Sequence, residues 1–154
     1  MTVVYRILRK PYAKHPFDGE GAYRFGGRWS SVGVRLAYTA EHLSLAMIEY
    51  FVHLDPEDPP TDLVVVSAHV PESVPRIAVS LRRLPPDWRE TPARPALALI
   101  GDAFVREGRA TVLLVPSALA PTERNWLMNP AHRDFSKIRV QPAEAFYYDS
   151  RFFK

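Results

Sequence analysis

The sequence of 154 residues contains no cysteine, which excludes disulfide bonds, thiolate metal sites and a cysteine nucleophile. No apolar run approaches the roughly 20 residues that cross a bilayer. The N-terminus shows no basic segment followed by an apolar core, as a signal peptide would. We therefore expect one cytoplasmic domain over residues 1–154, with no membrane partner.

Lysine is scarce, with four residues against 16 arginines, and the net charge is +3. A basic chain attracts anions, and arginine binds phosphate oxygens bidentately, which lysine cannot do. The bias is also what a GC-rich genome would produce. The basic residues form no tail or tract, so we do not predict direct nucleic-acid binding. The five histidines lack the spacing of metal ligands, and no metal site is predicted.

Strand-like apolar runs outnumber helical patterns and do not alternate regularly with them. The sequence predicts an α+β fold, a curved and mostly antiparallel sheet with flanking helices. The predicted strands include residues 3–9, 34–38, 63–70 and 111–115, and the predicted helices are residues 40–54, capped by Thr39, and 92–107. Residues 10–27 read as a long loop, and residues 116–134 as irregular or weakly helical.

A glycine-rich segment, Gly26-Gly27-Arg28-Trp29-Ser30, precedes the second predicted strand. Its glycines let backbone N–H groups approach an anion, and the Arg28 guanidinium can fork onto a diphosphate. Tyr38 follows at a strand end, where it can stack on a ring or bond a ribose or phosphate oxygen. The alternatives are an exposed loop arginine and a core tyrosine.

Glu49 lies on a second, mostly apolar face of the predicted helix, beside a buried stripe that includes Leu43 and Met47. A carboxylate there is seldom buried without a partner. In a cleft it can stabilise a cationic ribosyl centre, and otherwise it forms a structural ion pair with an arginine. Ser117 follows a strand, where its hydroxyl can bond a ribose or phosphate oxygen or cap a helix. No Gly-x-Ser-x-Gly motif surrounds it, which argues against a serine hydrolase.

Several short motifs in this order resemble the RES-domain family, named for an arginine, a glutamate and a serine. The resemblance rests on Gly27-Arg28-Trp29-Ser30, Tyr38-Thr39-Ala40-Glu41, Glu49, Val115-Pro116-Ser117 and Asn125-Trp126-Leu127-Met128-Asn129-Pro130, with Tyr5-Arg6-Ile7 and Ile100-Gly101-Asp102 in support. The family's members are toxins of bacterial toxin–antitoxin pairs whose antitoxin is a helix-turn-helix protein of the Xre type.

The resemblance implies a fold similar to the ADP-ribosyltransferase toxins and an activity on NAD⁺. It implies Arg28, Tyr38, Glu49 and Ser117 as the site residues, and an oligomeric complex in which the antitoxin blocks the cleft. Nucleic acid would then be reached only through the antitoxin. No separate cofactor is expected, because NAD⁺ would be the substrate.

The chemistry of the four residues agrees with that expectation. Nicotinamide leaves ribose as a neutral molecule, so no second carboxylate is needed as a general acid. One glutamate can then stabilise the ribosyl cation while an arginine holds the diphosphate. Water, inorganic phosphate or a protein side chain can each be the acceptor, and the last case would be ADP-ribosyl transfer. A non-catalytic module that binds nucleotides or RNA is the alternative from another class, although no RNA-binding motif is visible.

Overall fold

The structure, a computed structural model, describes all residues from 1 to 154. Its strands are β1 (Thr2–Arg9), β2 (Ala37–Ala40), β3 (Leu63–Val70), β4 (Arg76–Ala78), β5 (Val112–Pro116), β6 (Arg124–Met128), β7 (Arg139–Val140) and β8 (Glu144–Ala145). Its α-helices are α1 (Glu20–Phe25), α2 (Leu43–Phe51) and α3 (Pro95–Glu107). None of these helices has the length and apolar character needed to cross a bilayer.

The eight strands form one sheet in the order β4-β5-β6-β2-β1-β3-β7, with β8 also paired to β3. All neighbours are antiparallel except β4 and β5. β1 pairs with β3 along its whole length but with β2 only through Tyr5 and Ala40. The sheet therefore consists of two well-paired halves that are joined at one pair of residues. Together with the three helices, this mostly antiparallel sheet confirms the predicted α+β class.

Alternation along the strands gives the sheet two apolar faces. On one face Val4, Val66, Trp126 and Met128 pack with Phe17 in the largest buried cluster.

The opposite face is covered in two places. Ile7, Ala40 and Leu63 pack beneath α2. Leu113, Val115 and Leu127 pack with Trp29 of the glycine-rich segment and with Leu97 and Phe104 of α3. This second face carries the candidate site residues.

Helix α2 is shorter than predicted and begins at Leu43. Thr39 lies within β2 and its hydroxyl donates to the Trp126 carbonyl at 2.8 Å, so it does not cap the helix. The buried residues of α2 are Leu45 and Ala46, and Leu43 is exposed. The predicted buried stripe is therefore wrong at Leu43, while its members Met47 and Tyr50 are partly buried and pack against the cluster that contains Leu45.

Helix α3 ends at Gly108, which has a positive φ of 62° as a C-terminal glycine should. Its start at Pro95 lies three residues after the predicted one, since Arg94 before that proline is extended.

Three other predictions about local structure are wrong. The strand expected at residues 34–38 lies at Ala37–Ala40, where β6 provides its partner. Residues 10–27 are not all loop, since they include α1. Residues 116–134 include β6, which is paired on both sides. Short strands of this kind depend on their neighbours more than on their own periodicity.

The C-terminal segment fastens α2 to the molecule. The Tyr148 hydroxyl donates to the Met47 carbonyl of α2 at 2.6 Å, and its ring lies 5.6 Å from Phe51 and 4.9 Å from Phe146. Burial raises the pKa of Tyr148 to about 12. The hydroxyl therefore stays protonated through the neutral pH range and keeps this bond.

We expect the stability of the protein to fall between pH 10 and 12, and to fall less in Tyr148→Phe. A tyrosine whose folded-state pKa is raised contributes stability that is complete below the unfolded pKa of about 10 and is lost as pH rises through the folded value. Urea unfolding of both proteins at a series of alkaline pH values measures the difference. Equal slopes of unfolding free energy against pH would contradict the prediction.

Candidate active site

Glu49 and Ser117, 68 positions apart in sequence, are in direct contact. The Ser117 hydroxyl donates to Glu49 Oε1 at 2.7 Å and accepts the backbone N–H groups of Leu119 and Ala120 at 3.1 and 3.2 Å. Because these two donors occupy the serine oxygen, its proton is directed at the carboxylate. Ser117 thus fixes the orientation of the Glu49 carboxyl group and leaves its second oxygen without a partner in the protein.

The strand and the helix explain why these two side chains meet. Ser117 N–H donates to the Glu123 carbonyl at 2.9 Å, so the ladder between β5 and β6 continues to this residue. Alternation then places Ser117 on the same face as Leu113 and Val115. Helix α2 covers that face, and Glu49 follows the buried Leu45 by one turn.

Ser117→Ala is expected to lower both stability and activity. Ser117 is completely buried, and the change leaves two backbone N–H groups and one carboxylate oxygen without their shared partner. Loss of such bonds costs about 1–3 kcal/mol. Urea unfolding measures the change in stability, and single-turnover kinetics of the expected nicotinamide release from NAD⁺ measure the change in activity. Ser117→Thr, which keeps the hydroxyl, is the matched variant, and equal loss in both would contradict a role for the hydroxyl.

The Tyr38 hydroxyl is hydrogen-bonded to the glycine-rich segment. Its hydroxyl accepts the Trp29 N–H at 3.1 Å and lies 2.8 Å from Ser30 Oγ. A Cβ on Gly27 would come within 2.6 Å of the same oxygen, so only glycine permits this approach. Burial raises the pKa of Tyr38, which keeps the hydroxyl neutral. The predicted bond to a ribose or phosphate oxygen would have to share this hydroxyl with the segment.

The Arg28 side chain binds a neighbouring loop rather than Tyr38. Its Nη1 donates to the carbonyls of Trp88 at 2.9 Å and Glu90 at 2.8 Å, and its Nη2 contacts Thr91 Oγ1 at 3.4 Å. Nε has no acceptor in the protein. The edge formed by Nε and Nη2 therefore has donor capacity for an anion, while Nη1 fixes the position of the guanidinium.

A family profile described as the RES domain matches residues 3–149. The chain belongs to the RES-domain family. Two relatives cover almost its whole length. "Toxin Res" of Photorhabdus laumondii is 33% identical over 153 residues, which are 99% of this chain and 97% of that protein. "Prs ADP-ribosylating toxin" of a Sphingobium species is 35% identical over 144 residues, which are 92% and 89% of the two chains.

A solved structure has the same fold as this RES domain. It is the MbcT–MbcA toxin–antitoxin complex of M. tuberculosis, with a TM-score of 0.74 and 17% identity over 94% of this chain and 84% of that one. The family and the fold predicted from the sequence are therefore confirmed. The roles assigned to Arg28, Tyr38, Glu49 and Ser117 remain predictions. The structure places Glu49 against Ser117 and Tyr38 against the segment that contains Arg28.

Helix α3 anchors the glycine-rich segment of this RES domain. The Asp102 carboxylate accepts the Ser31 N–H at 2.8 Å and the Ser31 hydroxyl at 2.5 Å. Gly101 lies directly against the Trp29 carbonyl. Sequence reasoning assigned no role to Asp102. A glycine inside an otherwise apolar helix was the available signal, because it marks a close approach of backbone.

A second charged residue that sequence reasoning left without a role is Arg6 in β1. It lies next to Tyr5, at the only paired position between β1 and β2, and its Nη1 donates to the Pro16 carbonyl at 2.6 Å. Burial lowers the pKa of this guanidinium, against the opposing effect of Asp18. An arginine inside an apolar strand was the signal that could have identified it.

Proposed function

We propose that this RES domain is the toxin of a toxin–antitoxin pair and that it cleaves the bond between nicotinamide and ribose in NAD⁺. The observation that carries the proposal is the contact between Glu49 and the fully buried Ser117. It provides an oriented carboxylate on the sheet face that also carries Tyr38. The names of two curated relatives, both toxins, support the biological role.

Glu49 would act on the ribose as its bond to nicotinamide breaks. The electron pair of that bond leaves with nicotinamide, so positive charge develops on the ribosyl carbon. A carboxylate already oriented by Ser117 stabilises this charge without reorganising at the moment of reaction. Because nicotinamide leaves as a neutral molecule, no acid is required to protonate it.

Arg28 would hold the diphosphate that links the two nucleosides. Its Nε and Nη2 form the planar edge that matches two phosphate oxygens, and its Nη1 is fixed by the Trp88 and Glu90 carbonyls. A guanidinium held in advance loses less freedom when the substrate binds. Fixing the diphosphate also fixes the ribose relative to Glu49.

The acceptor of the ribosyl group divides this function into two candidates. Hydrolysis or phosphorolysis would deplete NAD⁺, and this is our first candidate. Transfer to a protein is the second, and it is favoured by the relative that is named an ADP-ribosylating toxin. In every case an acceptor oxygen or nitrogen forms the new bond to the ribosyl carbon, and the proton that a water or side-chain acceptor loses passes to solvent. NAD⁺ is consumed as substrate with no separate cofactor.

A cognate antitoxin, which we propose to be of the Xre type, would bind this chain and cover the cleft. The solved structure with the same fold is a toxin–antitoxin complex. Association would place the chain in an oligomer, and contact with DNA would occur only through the antitoxin.

Proton NMR of NAD⁺ incubated with the purified chain tests the proposal directly. We expect free nicotinamide, together with ADP-ribose in buffer without phosphate or its phosphate ester when phosphate is the acceptor. A parallel incubation of labelled NAD⁺ with cell lysate would place the label on a protein band if the chain is a transferase. Intact NAD⁺ in the first experiment and no labelled protein in the second would refute the proposed reaction.

A further inference from the structure

The segment from Asp87 to Arg94, here called the 87–94 segment, connects the two groups of site residues. At one side it receives the Arg28 guanidinium on its Trp88 and Glu90 carbonyls. At the other side Arg89 Nε donates to the Ala118 carbonyl at 2.8 Å. Ala118 follows Ser117, so Arg89 is held one residue from the serine that orients Glu49.

Four acidic side chains of this segment and of the adjoining strand end are already paired with cations or with His42, whereas Glu49 contacts only Ser117. Within the segment, Asp87 and Glu90 both bind Arg94, at 2.5 and 3.4 Å. On the adjoining strand end, Glu123 lies 2.7 Å from His42 and Glu41 lies 3.8 Å from Arg124.

Arg89 itself is left without a carboxylate. It is exposed, it takes part in no ion pair, and its only hydrogen bond is the one from Nε. Its Nη1 and Nη2 groups have no acceptor in the protein. A guanidinium that is fixed through Nε to the residue after Ser117, and whose Nη1 and Nη2 donors are unused, can bind an anion through two parallel hydrogen bonds.

We propose that Arg89 is a second phosphate-binding residue of this site, in addition to Arg28. Its assignment to catalysis rests on the proposed function, whereas its affinity for phosphate does not. The phosphate can come from two sources. It is either a phosphate of the NAD⁺ diphosphate, which Arg89 would hold together with Arg28, or an inorganic phosphate that is placed near the ribosyl carbon as acceptor.

Three variants of the full chain test this assignment. Arg89→Gln removes the charge and the fork, and Arg89→Lys keeps the charge without the planar pair of donors. Arg106→Gln is the matched control, because Arg106 is an exposed arginine of α3 that forms no ion pair and lies outside the site. Thermal unfolding first establishes that all three variants fold like the parent.

The readouts are binding of inorganic pyrophosphate and inorganic phosphate by calorimetry, and the kinetics of nicotinamide release. Loss of two charge-assisted hydrogen bonds weakens binding roughly tenfold to a hundredfold. We expect Arg89→Gln to show that loss, Arg89→Lys a smaller one and Arg106→Gln none. A raised KM for NAD⁺ with kcat nearly unchanged identifies the NAD⁺ diphosphate as the ligand. Loss of the stimulation by inorganic phosphate, with KM for NAD⁺ unchanged, identifies the acceptor.

Failure of this proposal is distinguishable from failure of the proposed function. If the parent releases nicotinamide and Arg89→Gln matches Arg106→Gln in binding and in kinetics, Arg89 is not a phosphate ligand while the reaction stands. If the parent releases no nicotinamide but binds pyrophosphate more tightly than Arg89→Gln does, the phosphate site stands and the reaction is wrong. Equal or absent binding of both anions in the parent and Arg89→Gln, with unchanged kinetics, overturns the assignment.

Discussion

Glu49→Gln is expected to slow nicotinamide release roughly 100- to 1,000-fold, the effect of removing one oriented electrostatic group from a site. The fold should be almost unaffected, because the amide oxygen of glutamine can still accept the Ser117 hydroxyl. What is lost is the negative charge that faces the developing ribosyl cation. The KM for NAD⁺ should change little, since the charge acts mainly in the transition state.

Single-turnover kinetics with saturating NAD⁺ measure this effect, and urea unfolding checks the fold. Glu123→Gln is the matched control. It removes a carboxylate near the same strand end, but that carboxylate contacts His42 rather than Ser117. A Glu49→Gln protein that retains the parent's rate would remove Glu49 from the mechanism.

The elements that carry Glu49 and Ser117 could be predicted from local patterns in the sequence, but the contact between the two side chains could not. The apolar run that ends at Val115 predicts a strand, and the spacing of Leu43, Met47 and Tyr50 predicts a helix. A carboxylate and a hydroxyl group are both side-chain groups that the expected cleavage of NAD⁺ could use. That they meet in space is a consequence of the sheet topology, and the family resemblance, rather than periodicity, justified putting them in one site.

The surroundings of Arg28 were not accessible in this way. Its acceptors, Trp88 and Glu90, lie 60 and 62 positions away in sequence in a segment with no regular structure. The same is true of Arg89, whose partner Ala118 is 29 positions away. Hydrogen bonds from side chains to distant carbonyls leave no periodic trace in a sequence, so only the folded chain reveals them.

Strand β6 was not predicted from the sequence, and the reason is related. Its five residues, Arg124–Met128, are too few to establish a period of two, so the sequence predicts irregular or weakly helical structure there. Its position is determined by β5 on one side and β2 on the other. β6 therefore connects the site by nonlocal pairing, since it joins the strand before Ser117 to the strand of Tyr38.

Gly101→Ala adds one methyl group near the site and is expected to lower both stability and activity strongly. A Cβ at this position would lie 1.8 Å from the Trp29 carbonyl oxygen, which no rotation of a side chain can relieve because both partners are backbone. The glycine-rich segment would have to move away from α3. That movement would break the two bonds from Ser31 to Asp102 and displace Arg28.

Crowding of this kind typically costs about 1–3 kcal/mol, which corresponds to a lower melting temperature by several degrees for a domain of this size. Activity should fall further than stability alone explains, because Arg28 and the Tyr38 contact both depend on the position of the segment. Calorimetry and the nicotinamide assay measure the two effects on the same sample.

Gly21→Ala provides the matched control, since Gly21 also lies in an α-helix and its added Cβ would meet only Arg6 Nη2, at 3.9 Å. Replacing a helical glycine by alanine without a clash is worth about 0.5–1 kcal/mol in favour of the folded state. The two substitutions should therefore have opposite signs. If Gly101→Ala instead retained the parent's stability and rate, the segment would have room to move while Arg28 stayed functional, and its anchoring by α3 would not be required for binding the diphosphate.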